Sequence, residues 1–96
     1  MKVVLSDPAE DDLAGIYDYY SVRDYEHAER VIRAIIRACD GLADFPLLGK
    51  KGKVEGSRER LMTRYPYRLV YRIDGETIFV SRIVHTHQQW PPEGSV

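Results

Sequence analysis

The sequence predicts an α+β domain: an N-terminal strand, an antiparallel two-helix hairpin, then a three-stranded antiparallel sheet, β-αα-βββ. Two observations lead there. Apolar residues recur at helical spacing from Leu13 to Leu42, whereas from Ser57 to Val84 they alternate with polar ones at the period of a strand. A two-residue hairpin signal, Asp74-Gly75, sits inside the alternating half.

Lys2–Leu5 reads as a short strand. Asp7-Pro8-Ala9-Glu10 reads as a helix start, with Asp7 capping, Pro8 in the first turn and Glu10 answering three residues after the cap. Leu13, Ile16, Tyr17 and Tyr20 carry this helix to about Tyr20. A second helix begins near Asp24–Glu26. Val31, Ile32, Ile35, Ile36, Cys39 and Leu42 form its inward stripe, with Arg30, Arg33 and Arg37 facing out, and it stops before Phe45-Pro46. The short connection makes the two helices a hairpin. Leu47–Gly56, with three glycines and three lysines, reads as a cationic loop. Strands follow at about Ser57–Thr63, Tyr67–Ile73 and Thr77–Val84, and an irregular tail covers about 86–96. Both helices are expected on one sheet face, the other face staying open. The 96 residues are read as one domain.

Composition excludes several classes. A single cysteine allows no internal disulfide and no multi-cysteine zinc site, and Cys39 is expected as a core thiol. No apolar run could span a bilayer, and MKVVLSDP is too short for a signal peptide. A soluble cytoplasmic protein without cofactor or metal is expected.

The net charge of −1 conceals a dipolar chain. Residues 1–44 carry −5 and residues 73–96 carry −2, whereas Lys50 to Arg72 carry +6. Eight cations make up that stretch: Lys50, Lys51, Lys53, Arg58, Arg60, Arg64, Arg68 and Arg72. Local field governs capture of a polyanion, so a phosphate-bearing partner is the chemical expectation. Alternation places Arg58 with Arg60 on one face of their strand, and Arg68 with Arg72 on the open face of the next. The last strand ends in Arg82 and His85, followed by His87. Such a surface offers what RNA scission by an internal 2′-OH needs, namely a base, cations for the phosphorane and an acid, with no metal. Trp90 between Gln89 and Pro91 reads as a staple for the tail.

From residue 2 to about 91 the chain resembles the RelE/ParE superfamily of bacterial type II toxins. The resemblance rests on Ala9-Glu10-x-Asp12-Leu13-x-x-Ile16, Phe45-Pro46-x-x-Gly49, Val54-x-Gly56-x-Arg58-Glu59, Tyr67-Arg68-Leu69-Val70-Tyr71-Arg72 and Arg82-x-x-His85-x-x-Gln88-Gln89-Trp90-Pro91. It implies one of two activities. RelE-like members are ribosome-dependent mRNA endonucleases; ParE-like members instead poison DNA gyrase. On the nuclease branch Arg68, Arg58 and Arg60 fall on catalytic cations, and His85 is the nearest acid or base, as in YoeB-like chains. Lys50, Lys51, Lys53, Arg64, Arg72 and Arg82 would then dock RNA backbone. Arginines stand where that branch has lysines, and its C-terminal arginine and tyrosine have no match in Thr86–Pro92. The cationic set favours the nuclease; the gyrase inhibitor is the alternative. Either implies a cognate antitoxin with an acidic toxin-binding segment.

Overall fold

A computed structural model of the chain describes residues 1–93. Its elements are β1 (Lys2–Leu5), α1 (Asp7–Ser21), α2 (Tyr25–Gly41), β2 (Lys50–Lys51), β3 (Arg58–Leu61), β4 (Tyr67–Asp74) and β5 (Thr77–His85). They form one five-stranded sheet in the order β1-β5-β4-β3-β2. The α+β class and the element order match the expectation, with two corrections. The sheet is mixed, because β1 pairs with β5 in parallel while every other pair is antiparallel. A helical hairpin is long enough to cross the chain over the sheet, which a parallel pairing requires and a tight turn cannot supply. In addition, Lys50–Lys51, expected as loop, adds a short edge strand to β3.

Local signals explain the helix ends. Ser6, not Asp7, caps α1: its Oγ accepts from the Ala9 amide at 3.2 Å and donates to the Ser81 carbonyl at 2.9 Å. One hydroxyl thus starts the helix and ties it to β5. Asp24 caps α2, accepting from the amides of Glu26 and His27. The stripe of α2 buries Val31, Ile35, Cys39 and Leu42 against Leu69 and Tyr71 of β4 and Ile78, Val80 and Ile83 of β5. Each fully buried aliphatic side chain contributes roughly 1.5–3 kcal/mol. Ile36, expected within the stripe, is 42% exposed.

The face away from the helices is partly covered, not open. Val70 and Val84 lie there by register and are buried. The tail crosses this side: Lys53 Nζ donates to the Trp90 carbonyl at 3.3 Å, and the Arg82 guanidinium lies 5.4 Å from the Trp90 ring centre. Residues 86–93 form neither helix nor strand, as expected for the tail; 94–96 lie outside the described residues. Among the described residues no helix is long and apolar enough to cross a membrane.

Candidate functional site

The cationic stretch is held at the β2–β3 edge by one buried tyrosine. The Tyr71 hydroxyl donates to the Pro46 carbonyl at 2.6 Å and accepts from the Gly49 amide at 2.9 Å. Gly49 is required there, since a Cβ would sit 2.8 Å from the Tyr71 ring and 2.9 Å from the Glu59 carbonyl. The pinned segment delivers Lys50 opposite Glu59 and Lys51 opposite Arg58. The turn that follows closes through Gly52 N to the Ser57 carbonyl and Ser57 Oγ to the Val54 carbonyl. Arg72 braces it, donating from Nη1 to the Glu55 carbonyl at 3.0 Å beside Gly56, whose φ of 79° only glycine adopts readily.

Register decides which cations can meet. Directly opposed residues of antiparallel strands share a face. Arg58 opposes Tyr71 and Arg60 opposes Leu69, so both arginines start on the helix side. Glu59 opposes Val70 and Leu61 opposes Arg68, on the other side. Arg58 and Arg60 do share a face, and Arg68 does lie on the face away from the helices, but the two sets do not converge across the sheet. Arg68 has an intramolecular partner: its Nε lies 3.4 Å from Glu59 Oε1, with both side chains largely covered. The second oxygen of Glu59 accepts from the Lys53 amide at 2.9 Å.

The strand edge partly reunites them. β2 ends after two residues, leaving Arg60 at an edge, where its Nη1 donates to the Leu61 carbonyl at 2.9 Å. Arg60 and Arg68 both open onto a cleft of about 360 Å³, together with Lys50, Lys51, Lys53, Leu48, Leu61 and Glu59. Five cations against one carboxylate make this the cationic centre of the molecule. Arg64 lies outside this cleft: it shares a separate cavity with Arg60 and Arg37 and sits beside Arg30 and Arg33 of α2. That second basic strip combines helix and loop residues that the sequence does not reveal as neighbours.

His85 opposes Tyr67 and faces the helix side, the reverse of Arg68. It meets the Tyr67 ring edge-on at 5.3 Å and stacks on His87 at 5.3 Å. Its Nδ1 accepts from the His87 amide at 3.0 Å, which puts the proton of the neutral ring on Nε2. The ring lines a cavity of about 570 Å³ with Asp11, Gly15, Tyr19, Tyr20 and Tyr67. Burial, then the hydrogen bond to Tyr20, pushes the Tyr67 phenol above its usual range. Arg82 is not a free cation. It grips Asp12 through Nε at 2.7 Å and Nη2 at 3.1 Å, while Asp12 also accepts from the Ile83 amide at 2.8 Å. Asp12 raises the Arg82 pKa further, fixing its charge. Neither carboxylate partner, Glu59 nor Asp12, is recognisable from sequence, because both pairings depend on register or on helix placement. Among the described residues no group of three or more His, Cys, Asp or Glu side chains could hold a metal ion.

The strand, helical hairpin and sheet are the fold of type II toxins of the RelE/ParE superfamily. Within it, the chain belongs to the family described as ParE toxin of type II toxin-antitoxin system, parDE, which matches residues 3–90. A Sinorhizobium fredii (strain NBRC 101917 / NGR234) protein named "Putative toxin Y4kP" is 36% identical over 73 residues, 76% of this chain and 75% of that one. The fold is similar to a chain of the chromosomal ParDE TA system from P. aeruginosa, with TM-score 0.82, 27% identity and coverage of 91% of this chain and 97% of that one. It is similar, at TM-score 0.65 and 28% identity, to a chain of the toxin-antitoxin complex RelBE2 from Mycobacterium tuberculosis, covering 88% and 95%. The YoeB dimer from Staphylococcus aureus shares the fold at TM-score 0.59 and 19% identity, covering 92% and 98%.

Proposed function

We propose that this type II toxin acts by binding DNA gyrase rather than by cutting mRNA, and that a cognate antitoxin with an acidic binding segment holds it in check. One observation carries the reading: Arg68 and His85 lie on opposite faces of the sheet. A phosphodiester held by Arg68 is therefore out of reach of a proton transfer at His85, and general acid–base catalysis needs hydrogen-bond distance. Arg68 is moreover neutralised by Glu59. Inhibition by binding asks for no titrating residue, only a complementary surface. The closer fold similarity to the ParDE chain than to the RelBE2 chain supports the same choice.

A second reading keeps the nuclease. Arg60 and Arg68 share a cleft with three lysines, and a lysine can shed a proton where an arginine cannot. There Arg68 would hold the scissile phosphate, the lysines would supply base and counter-charge, and His85 would have no part. Two assays on purified protein separate the readings: gyrase supercoiling, and cleavage of mRNA on translating ribosomes. The expected result is lost supercoiling with accumulated cleaved DNA and intact mRNA. Cleaved mRNA with normal supercoiling would overturn the proposal, and loss of that cleavage in Arg68→Ala would establish the second reading.

A further inference from the structure

We infer that Lys51 and Arg58 form a clamp for a carboxylate of the antitoxin's acidic segment, an inference that rests on the toxin reading above. Lys51 and Arg58 stand directly opposite each other on β2 and β3. Like charges in that position repel. Neither takes part in the ion pairs found among the described residues, which are Arg33–Glu29, Arg68–Glu59 and Arg82–Asp12. Among the described residues the Arg58 Nε, closed off from solvent, has no hydrogen-bond acceptor. A covered donor on a charged group is costly unless something satisfies it. The neighbouring carboxylate cannot do so, because Glu59 points to the other face and is engaged by Arg68 and the Lys53 amide. A repelling pair with no internal counter-charge breaks local rules in the way functional positions do, and the outer guanidinium nitrogens of Arg58 and the Lys51 ammonium are the groups an incoming anion meets.

The surroundings define the occupant. Lys51 and Arg58 open onto a cavity of about 340 Å³ whose other walls are Leu47, Gly56, Ser57 and Ile73, with no acid among them. Leu47 is 69% exposed and Ile73 is 36% exposed. An anion fits between the two cations, and the flanking leucine and isoleucine suit apolar neighbours on the same ligand. A protein segment alternating carboxylates with apolar side chains meets both demands. A nucleic-acid strand meets the first demand, but its bases seek flat aromatic faces to stack on, and the apolar walls here are aliphatic.

The test uses Lys51→Glu, with Arg58→Met as a second variant and Arg33→Met as a control. Lys51→Glu places an internal carboxylate opposite Arg58. The clamp therefore predicts opposite signs in two measurements: the free toxin melts at a higher temperature, and its affinity for purified cognate antitoxin falls at least tenfold. Arg58→Met should lose affinity similarly, the loss shrinking between 50 and 300 mM NaCl as screening grows, while Arg33→Met binds as wild type. Wild-type affinity in both Lys51→Glu and Arg58→Met overturns the clamp, as does a lower melting temperature in Lys51→Glu. A single-stranded RNA 12-mer is the competing probe. If Arg58→Met weakens RNA binding and leaves antitoxin binding intact, the site belongs to phosphate and the proposal fails. The toxin reading fails differently: wild-type protein would then bind no antitoxin and arrest no growth, and the clamp would fall with it.

Discussion

His85 and Arg68 are neighbours in the β4–β5 ladder and yet face away from each other: His85 opposes Tyr67, the residue next to Arg68, and the sheet lies between their side chains. Residues without a shared partner act independently. Arg68→Ala and His85→Gln should therefore affect growth arrest additively on a logarithmic scale, with His85→Gln close to wild type. Growth curves of the two single variants and the double variant check this. A loss in His85→Gln as complete as in Arg68→Ala and in the double would mean one shared site.

Asp12 joins α1 to β5 through three hydrogen bonds, two from Arg82 and one from the Ile83 amide. Asp12→Ala leaves a partly buried guanidinium and a backbone N–H without partners. The expected cost is about 2–4 kcal/mol, read as a lower urea midpoint with unchanged slope.

The loop that carries the lysines depends on Tyr71. Tyr71→Phe keeps the buried ring and removes both of its hydroxyl contacts, to Pro46 and Gly49. It should cost about 1–3 kcal/mol and speed amide exchange at Gly49. Gly49→Ala forces a Cβ against the same ring and should cost about 1–3 kcal/mol by overpacking. Equal urea midpoints in wild type and both variants would show that the loop is held by something else.

Alkaline pH tests the core. Burial, with a smaller push from Asp40, moves the Cys39 thiol from 9.0 up to about 12. The folded chain keeps this proton at a pH where the unfolded chain has lost it. Stability from Cys39 is thus complete below pH 9 and declines as pH rises toward 12, by on the order of 2 kcal/mol at pH 10.5. Tyr67, also raised, adds a decline of the same sign. Urea midpoints at pH 7.5 and 10.5 should differ less in Cys39→Ala than in wild type.

Periodicity made the helices and the three long strands readable, because each buries one face: Val31, Ile35 and Cys39 on α2, and Leu69 and Tyr71 on β4. The start of α1 was misplaced by one residue because Asp7 and Ser6 both suit a cap, and only the contact with Ser81 favours Ser6. Long-range pairing was not readable. Nothing local in Lys2–Leu5 indicates a parallel partner at Thr77–Val80, and Lys50–Lys51 is too short and too polar to announce a strand. The site suffered most. Alternation paired Arg58 with Arg60 and Arg68 with Arg72, but which pair faces which side depends on cross-strand register, and register depends on the loop between the strands. The tail's place on the far side of the sheet rests on single contacts such as Lys53 to Trp90, which leave no periodic trace.

β5 carries one unpaired residue: Val80 opposes Tyr71 and Arg82 opposes Val70, which leaves Ser81 between them as a bulge. Counting in twos from Ile78 would send Arg82 and Val84 inward and Ile83 and His85 outward. The inserted serine inverts that parity, so Ile83 joins the core and Arg82 is left at a strand edge within reach of Asp12. Removing Ser81 alone would exchange the chemistry of the two sides over the last four residues of the strand while leaving its first half untouched.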